Sequence, residues 1–569
     1  MKQKKIKIII NGRKIETNEG KTILEAAREN KIEIPALCFH SDLKVKANCR
    51  ICTVEIKGIK GLQTACSTEA KKGMEIITDS PKISKARKIN LELIFSQHTE
   101  ECDDCVWDFN CQILKLAKKY KAEITRFADR KKDYPLYRFG PSIDFDNTKC
   151  IICRNCAEVC PVDFLEIKNK GAEIQITPSK DKNKDCIYCG QCVTHCPVGA
   201  IEGVGEFEDI EKPLQEKDKI VVAQFAPSIR TSIGEEFGLP YGEIVTEKLA
   251  AGIKKLGFDK VFDVSFGADF TTMEESEELI EKLAKKENLP IMTACCPAWV
   301  KFIEFYYPEF IPNLTSVRSP QIILGGLIKT YWAEKHNIDP KKIVVVSIMP
   351  CVAKKYEITR KEFNLNGLRP VDYVLTTREL AYLLIKNKIN FKTIKPQLPD
   401  APLGVASGAG VIYGVSGGVM ESALRTAYEK MTGKKLLKID FKKIRGMEGI
   451  KKAEIKINGS KIKVGAISGI KNAKNILEEL KRNPQSYDYL EVMACPGGCI
   501  GGGGQPVPTD AKIRAERAKS LYKIDLKKEV RLAHQNPALQ KIYKEFLNSK
   551  EKIHSICHTE YKYKKRIKT

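Results

Sequence analysis

The sequence predicts a multidomain protein of mixed α/β and α+β class, with a front of small cysteine-rich domains and a large α/β domain behind. Three observations predict it. The chain has 569 residues, enough for several domains. Its 21 cysteines are dense up to Cys196, absent until Cys295 and sparse afterwards. Beyond about Pro213, short β-branched runs alternate with longer helical ones.

Composition narrows the function classes. Hydrophobic residues make up 43% and charged residues 30%, an ordinary globular balance. No apolar run approaches a membrane span, and the start "MKQKKIKIIING" is too short for a signal-peptide core, so a cytoplasmic protein is expected. In a reducing compartment this many cysteines imply metal or redox chemistry rather than disulfides. The formal charge of +25 suits steering of an acidic electron carrier, or simply a lysine-rich solvated surface. Nothing points to nucleic acid.

The first segment, 1–82, reads strand–turn–strand–helix. Asn11-Gly12 between two strand-like runs is a hairpin signal, and Thr22 is placed to cap a helix. Cysteines follow at Cys38, Cys49, Cys52 and Cys66, a C-x10-C-x2-C-x13-C spacing. The plant-type ferredoxin spacing begins C-x4-C, so this is a variant with a longer first loop, expected to be a β-grasp ferredoxin with one [2Fe–2S] cluster. Structural zinc is the alternative.

Segment 83–125 contains "HTEECDDCVWDFNC", in which His98, Cys102, Cys105 and Cys111 follow H-x3-C-x2-C-x5-C. Zinc accepts three cysteines and a histidine, so this motif alone is ambiguous. Its position between two iron–sulfur modules favours [4Fe–4S]. Segment 140–210 then holds two copies of C-x2-C-x2-C-x3-C-P, the bacterial two-cluster ferredoxin run, whose fourth cysteine ligates the other cluster. One cluster is expected on Cys150, Cys153, Cys156 and Cys196, the other on Cys186, Cys189, Cys192 and Cys160. His195 reads as a spacer. Three accessory [4Fe–4S] clusters and one [2Fe–2S] imply a remote site that consumes or supplies electrons.

In 211–569 the apolar runs "KIVVAQFAPSIR", "LPIMTACCPAW", "KKIVVVSIMPC" and "DYLEVMACPGGC" end in cysteine, glycine or proline turns. Ligands of open α/β sheets sit beyond the carboxyl ends of strands, where Cys296, Cys351, Cys495 and Cys499 would converge on a further [4Fe–4S] cluster.

"TACCPAW", "MPCVAKKYE" and "MACPGGCIGGGGQP" resemble the three signature motifs of [FeFe]-hydrogenases, and the front resembles that family's multidomain clostridial type. The resemblance implies that Cys296, Cys351, Cys495 and Cys499 bind the cubane of the H-cluster. Cys499 would also bridge to a two-iron subsite carrying CO, cyanide and an azadithiolate. It implies that Cys295 passes protons to the bridgehead amine, with Glu275, Glu278 and Thr315 leading to the surface; the plain readings are an inert thiol and a solvated acidic helix. Lys354 would pair with a cyanide. Met349, Met493, Ala226, Pro227, Ser228 and Gln321 would line the two-iron site. Glycines 497, 498 and 501–504 would let backbone approach it.

The implied partners are H2 and protons, a ferredoxin- or flavodoxin-like carrier, and maturation proteins that load the subsite. Ala294, Pro496, Tyr413, Thr315 and Lys282 depart from the family's usual serine, histidine, phenylalanine, serine and arginine. Glycines 408, 410 and 414 match a dinucleotide loop only weakly. Three rival readings share parts of the pattern. An electron-transfer subunit of an NADH dehydrogenase-like complex accounts for the front alone. An iron–sulfur assembly factor needs neither the front nor Cys295 and Lys354. An H2 sensor would keep the site and change its use.

Overall fold

The structure is a computed structural model that describes residues 4–98, 111–128, 131, 133–170 and 173–566. Cys102 and Cys105 lie outside the described residues. The chain divides into two compact units. The first comprises Met1–Tyr137, Asp144–Ser179 and His195–Glu202; the second comprises Arg138–Ile143, Lys180–Thr194 and Gly203–Thr569. The second ferredoxin-type run is thus divided, with Cys186, Cys189 and Cys192 in the second unit and Cys196 in the first; Cys160, of the first run, is in the first unit. Among the described residues no helix is long and apolar enough to cross a membrane.

The first unit opens with a five-stranded sheet in the order Arg13–Asn18, Lys5–Ile10, Glu75–Ile77, Thr53–Ile56, Gln63–Thr64. Lys5–Ile10 and Arg13–Asn18 form an antiparallel hairpin. Its turn needs left-handed backbone at Asn11 (φ 50°) and Gly12 (φ 76°), as an Asn-Gly pair allows. Lys5–Ile10 then pairs parallel with Glu75–Ile77, the crossover of a β-grasp. Thr22 caps the helix Ile23–Glu29 in a full capping box with Glu25. Ile8, Ile10, Leu24 and Val54 form the core beneath it.

The second unit carries two four-stranded sheets. One runs Lys260–Asp263, Ile220–Phe225, Ile343–Met349, Tyr373–Thr376, parallel throughout. The other runs Ile291–Met292, Tyr489–Met493, Ser460–Ser468, Ile450–Ile457, with only the last strand antiparallel. Both central strands, IVVAQF and YLEVM, are buried along nearly their whole length, as parallel strands covered on both faces must be.

The helix Val264–Lys285 starts at Asp263, whose carboxylate caps it by accepting from Ser265 N–H. Gly267 lets this helix meet Pro320–Leu327 at backbone distance, since a Cβ there would lie 2.3 Å from the Pro320 oxygen. Buried ion pairs fasten the helix Ala511–Lys527. Arg425 bonds Asp525 (2.9 and 3.1 Å) and Glu421 (2.7 Å), and Arg517 bonds Glu235 (2.5 and 2.8 Å). Such bidentate arginine–carboxylate contacts are among the strongest side-chain hydrogen bonds.

Candidate active site

Four loops, each leaving the carboxyl end of a parallel strand, meet in the second unit. Ile220–Phe225 leads to Ala226–Ser228, Ile291–Met292 to Cys295 and Cys296, Ile343–Met349 to Cys351, and Tyr489–Met493 to Cys495 and Cys499. Strands of both sheets therefore supply one site, and the ligand-bearing turns fall where open parallel sheets bind ligands. The loops enclose a cavity of about 80 Å³. All five of these cysteines line it, with Ala226, Pro227, Ser228, Gln321, Met349, Lys354 and Met493. Its walls are mostly apolar, from alanine, proline, valine and methionine, with Ser228, Gln321 and Lys354 among the polar exceptions.

The donor set fits an iron–sulfur centre. Burial raises the Cys296 thiol; burial together with neighbouring thiols pushes Cys351 to about 12, Cys499 up and Cys495 well up. Thiols crowded like this do not ionise on their own; a metal that takes them as thiolates removes both obstacles. Two hydroxyl and amide atoms at the cavity, Ser228 Oγ and Gln321 Oε1, are buried with no protein partner, which suits polar ligands on a bound group. The Cys495 thiol lies 3.8 Å from the Cys189 carbonyl oxygen, so this site adjoins the neighbouring ferredoxin-type run. Gly503 makes that approach possible, since a Cβ there would sit 2.5 Å from Gly190 Cα. Of the glycine run only Gly498 and Gly502 line the cavity; the others pack loop against loop.

Lys354 is held by a partner that the sequence reading missed. Its ammonium donates to Glu357 Oε2 (2.9 Å) and to the Cys295 carbonyl (3.0 Å). Burial disfavours the charge, and Glu357 more than compensates. The same Glu357 carboxylate accepts from Ser319 (2.9 Å) and from the Gln321 amide. The i,i+3 spacing in "KKYE" was the available signal. Glu357→Gln should lower the unfolding free energy by about 3–5 kcal/mol by leaving a buried ammonium unpaired. Lys354→Met combined with Glu357→Gln should recover most of that loss in a thermal melt without restoring turnover.

Glu275 and Glu278 share a face of the helix Val264–Lys285. Glu275 is fully buried and accepts from Tyr489 O–H (2.5 Å), while its second oxygen has no protein partner. Burial raises its carboxyl to about 8 against the lowering effect of Tyr489. Glu278 bonds Lys282 (2.8 Å) and accepts from the Ser316 N–H (3.0 Å) and O–H (3.1 Å). The Thr315 hydroxyl is buried without a protein partner, so Ser316, one residue on, makes the direct contact with Glu278. Ser316 also meets His558 Nδ1 (2.8 Å), and His558 Nε2 meets Glu274 (3.0 Å). These residues face an open acidic recess. Tyr413 lines the main cavity beside Met493 and Cys295 and meets Thr272 Oγ1 at 2.9 Å. Gly410 is packed against the Ser265 carbonyl, where a Cβ would lie 2.1 Å away, and is no phosphate loop.

In the first unit the expected [2Fe–2S] thiols come together in two hydrogen-bonded pairs. The Cys49 partner raises the Cys38 thiol, and the Cys52 partner raises Cys66. The Cys49 backbone N–H also donates to Cys38 Sγ (3.5 Å). Cys150, Cys153 and Cys196 are buried and near enough that neighbouring thiol charge adds to burial in raising Cys153. Cys156 is buried in the same unit. His98 is buried, and its Nδ1 meets the Lys149 carbonyl at 2.8 Å, which leaves Nε2 as the nitrogen for a metal. Cys111 is buried as well.

Known proteins share this organisation. Residues 219–503 match the iron-only hydrogenase large subunit, C-terminal domain, and residues 511–564 the iron hydrogenase small subunit. Residues 3–81 match a 2Fe-2S iron–sulfur cluster binding domain and 149–200 a 4Fe-4S dicluster domain. The chain is 40% identical to iron hydrogenase 1 of Clostridium pasteurianum, over 98% of its own length and 99% of that protein. It is 39% identical to the NADP-reducing hydrogenase subunit HndD of Solidesulfovibrio fructosivorans, again over 98% and 99%. A solved apo [FeFe]-hydrogenase, HydA1 from Chlamydomonas reinhardtii, superposes with a TM-score of 0.57 at 38% identity, covering 63% of this chain and 98% of that one. A buried five-cysteine cavity at the strand ends, an ammonium at its wall, and ferredoxin-like modules before it therefore belong to one inherited plan: the chain is a member of the iron-only, or [FeFe], hydrogenase family.

Proposed function

We propose that this chain interconverts protons and H2 reversibly, 2 H+ + 2 e− ⇌ H2, at the cavity between the two sheets. The observation that carries the reading is the joint lining of that cavity by Cys295, Cys296, Cys351, Cys495, Cys499 and Lys354. Cys296, Cys351, Cys495 and Cys499 would hold the cubane, and Cys499 would bridge to the two-iron subsite. When bound, the H-cluster supplies the metal at which electrons and protons combine.

The protein's own part is positional and electrostatic. Lys354, kept charged by Glu357, offers a donor to an anionic ligand at the wall. The apolar side chains keep bulk water out, so each charge inside acts strongly. Cys295 would hold a proton on its thiol at the cavity face; the Glu275 charge reaches that thiol, and Glu278 lines the acidic recess. Ser316 and His558 extend this set at the outer end.

We assign the electron partner to a ferredoxin- or flavodoxin-like carrier, met by a strongly basic chain. Three accessory [4Fe–4S] clusters and one [2Fe–2S] cluster would connect it to the site, and a cytoplasmic location suits such a carrier. The likeness to an NADP-reducing hydrogenase subunit favours a second reading, in which a partner chain handles the nicotinamide. Protein matured anaerobically should evolve H2 with reduced viologen or reduced ferredoxin, whereas NADPH alone should not support turnover. Absence of H2 evolution from protein with a fully loaded site would overturn the assignment and leave a sensing or assembly role.

Glu275 gives a pH signature. Its native carboxyl is raised from 4.5 to about 8, so the folded protein holds a proton there that the unfolded chain releases. Native stability therefore falls as pH rises from about 4.5 toward 8 and is level above that. Glu275→Gln should flatten this slope, seen as melting midpoints less different at pH 5.5 and 8 than in the parent. H2 evolution should fall as well, since glutamine carries no acidic proton.

A further inference from the structure

We propose that His40, Asp42 and His195 bind one divalent transition-metal ion such as Zn2+, separate from every iron–sulfur site. One ligand atom from each residue lies within 4.8 Å of the others. The two imidazole rings stand 4.1 Å apart, centroid to centroid, tilted by 43°. His195 is buried, His40 half-buried and Asp42 exposed, so the carboxylate marks the side from which an ion enters. The rings are tilted rather than parallel, and the Asp42 carboxylate lies within the same 4.8 Å. Two imidazoles and one carboxylate are protein donors that an open zinc site takes. With no thiol and only one oxygen ligand, the set disfavours magnesium and calcium.

The three residues are held in place without the ion. Lys46 pairs with Glu158 (2.5 Å) and donates to Asn155 Oδ1 (3.1 Å). The Lys44 N–H donates to Glu158 (2.7 Å), and Asn48 donates to the Ile152 carbonyl (3.3 Å). Asn155 in turn donates to the His195 carbonyl (3.2 Å). The loop bearing His40 and Asp42 is thereby tied to the segment bearing His195, all within the first unit. Zinc–nitrogen bonds of about 2.0–2.1 Å put tetrahedral ligand atoms about 3.3 Å apart, so modest side-chain rotation closes the site. One bond opposes it: the Asp42 N–H donates to His40 Nδ1 at 3.2 Å, and binding through that nitrogen would displace it.

Cys38 precedes His40 by two residues and Cys196 follows His195 directly. A dication here lies beside two proposed clusters and cross-links their segments. Its charge favours the reduced state of each, which raises their potentials.

The test uses anaerobically isolated holoenzyme, stripped of loose metal with a chelator and titrated with Zn2+. One equivalent should bind, with X-ray absorption showing a nitrogen and oxygen shell at about 2.0–2.1 Å. His40→Gln and Asp42→Asn should each weaken binding at least about tenfold at unchanged iron content, and zinc should raise the [2Fe–2S] potential only in the parent. Asp42→Asn, at an exposed position, decides the matter should the histidine variant lose iron. A sulfur shell at about 2.3 Å, zinc binding undiminished in Asp42→Asn, or no stoichiometric binding would each overturn the proposal.

Discussion

Cys295→Ser, matured anaerobically, retains the infrared bands of bound CO and cyanide and evolves H2 about 10²–10⁴-fold more slowly than the parent, the range that loss of one positioned acid–base group produces. The thiol lines the cavity, and burial followed by the nearby Glu275 charge holds it in the protonated form. That is consistent with the proton-carrier role proposed for it. Serine matches its size, but a hydroxyl is a far weaker acid. Cys295→Asp keeps part of the turnover, because a carboxyl group can take the same proton. Full activity in Cys295→Ser with the bands intact would end the relay assignment. Missing bands would instead place Cys295 in loading of the site.

Cys499→Ser loses more. Its bands of CO and cyanide disappear along with H2 evolution, because the proposed bridge between cubane and two-iron subsite is gone. The accessory centres, observed by electron paramagnetic resonance of the reduced protein, keep the parent's intensity. The separation follows from position: Cys499 lines the cavity in the second unit, while Cys38, Cys49, Cys52 and Cys66 lie in the first. Retained bands in Cys499→Ser would mean that the two-iron group is held elsewhere, with Cys495 the nearest alternative in the same turn.

The two experiments bracket what short-range sequence could disclose. Asn11-Gly12 and Thr22 act within a few residues of themselves, so their turn and cap were readable directly. The convergence of Cys296, Cys351, Cys495 and Cys499 was also readable, because each follows a β-branched run and strand ends gather ligands. Partners chosen by tertiary packing were not. Ser316 beside Glu278, Tyr489 on Glu275 and His558 on Glu274 join segments far apart in the chain. Nothing in "RSPQ" announces that Ser319 and Gln321 share one carboxylate with Lys354. The glycine run illustrates a different limit. Its composition signals close approach, but whether a ligand or another loop comes near depends on the folded neighbours, and here it is mostly the latter.

The helix Ala511–Lys527 carries a consequence for how such a protein can be encoded. Ala511–Lys527 is anchored by Arg517 on Glu235 and by Asp525 on Arg425. Arg517 also donates to the Ile500 carbonyl (2.7 Å), so the helix is bonded directly to the loop that follows Cys499. These contacts are made through space and do not depend on the peptide link near residues 507–510. Residues 511–564 match a family described as the iron hydrogenase small subunit. Continuity of the polypeptide is therefore dispensable here in principle: two genes, or one gene with a cleavage point in that stretch, could specify the same enclosure.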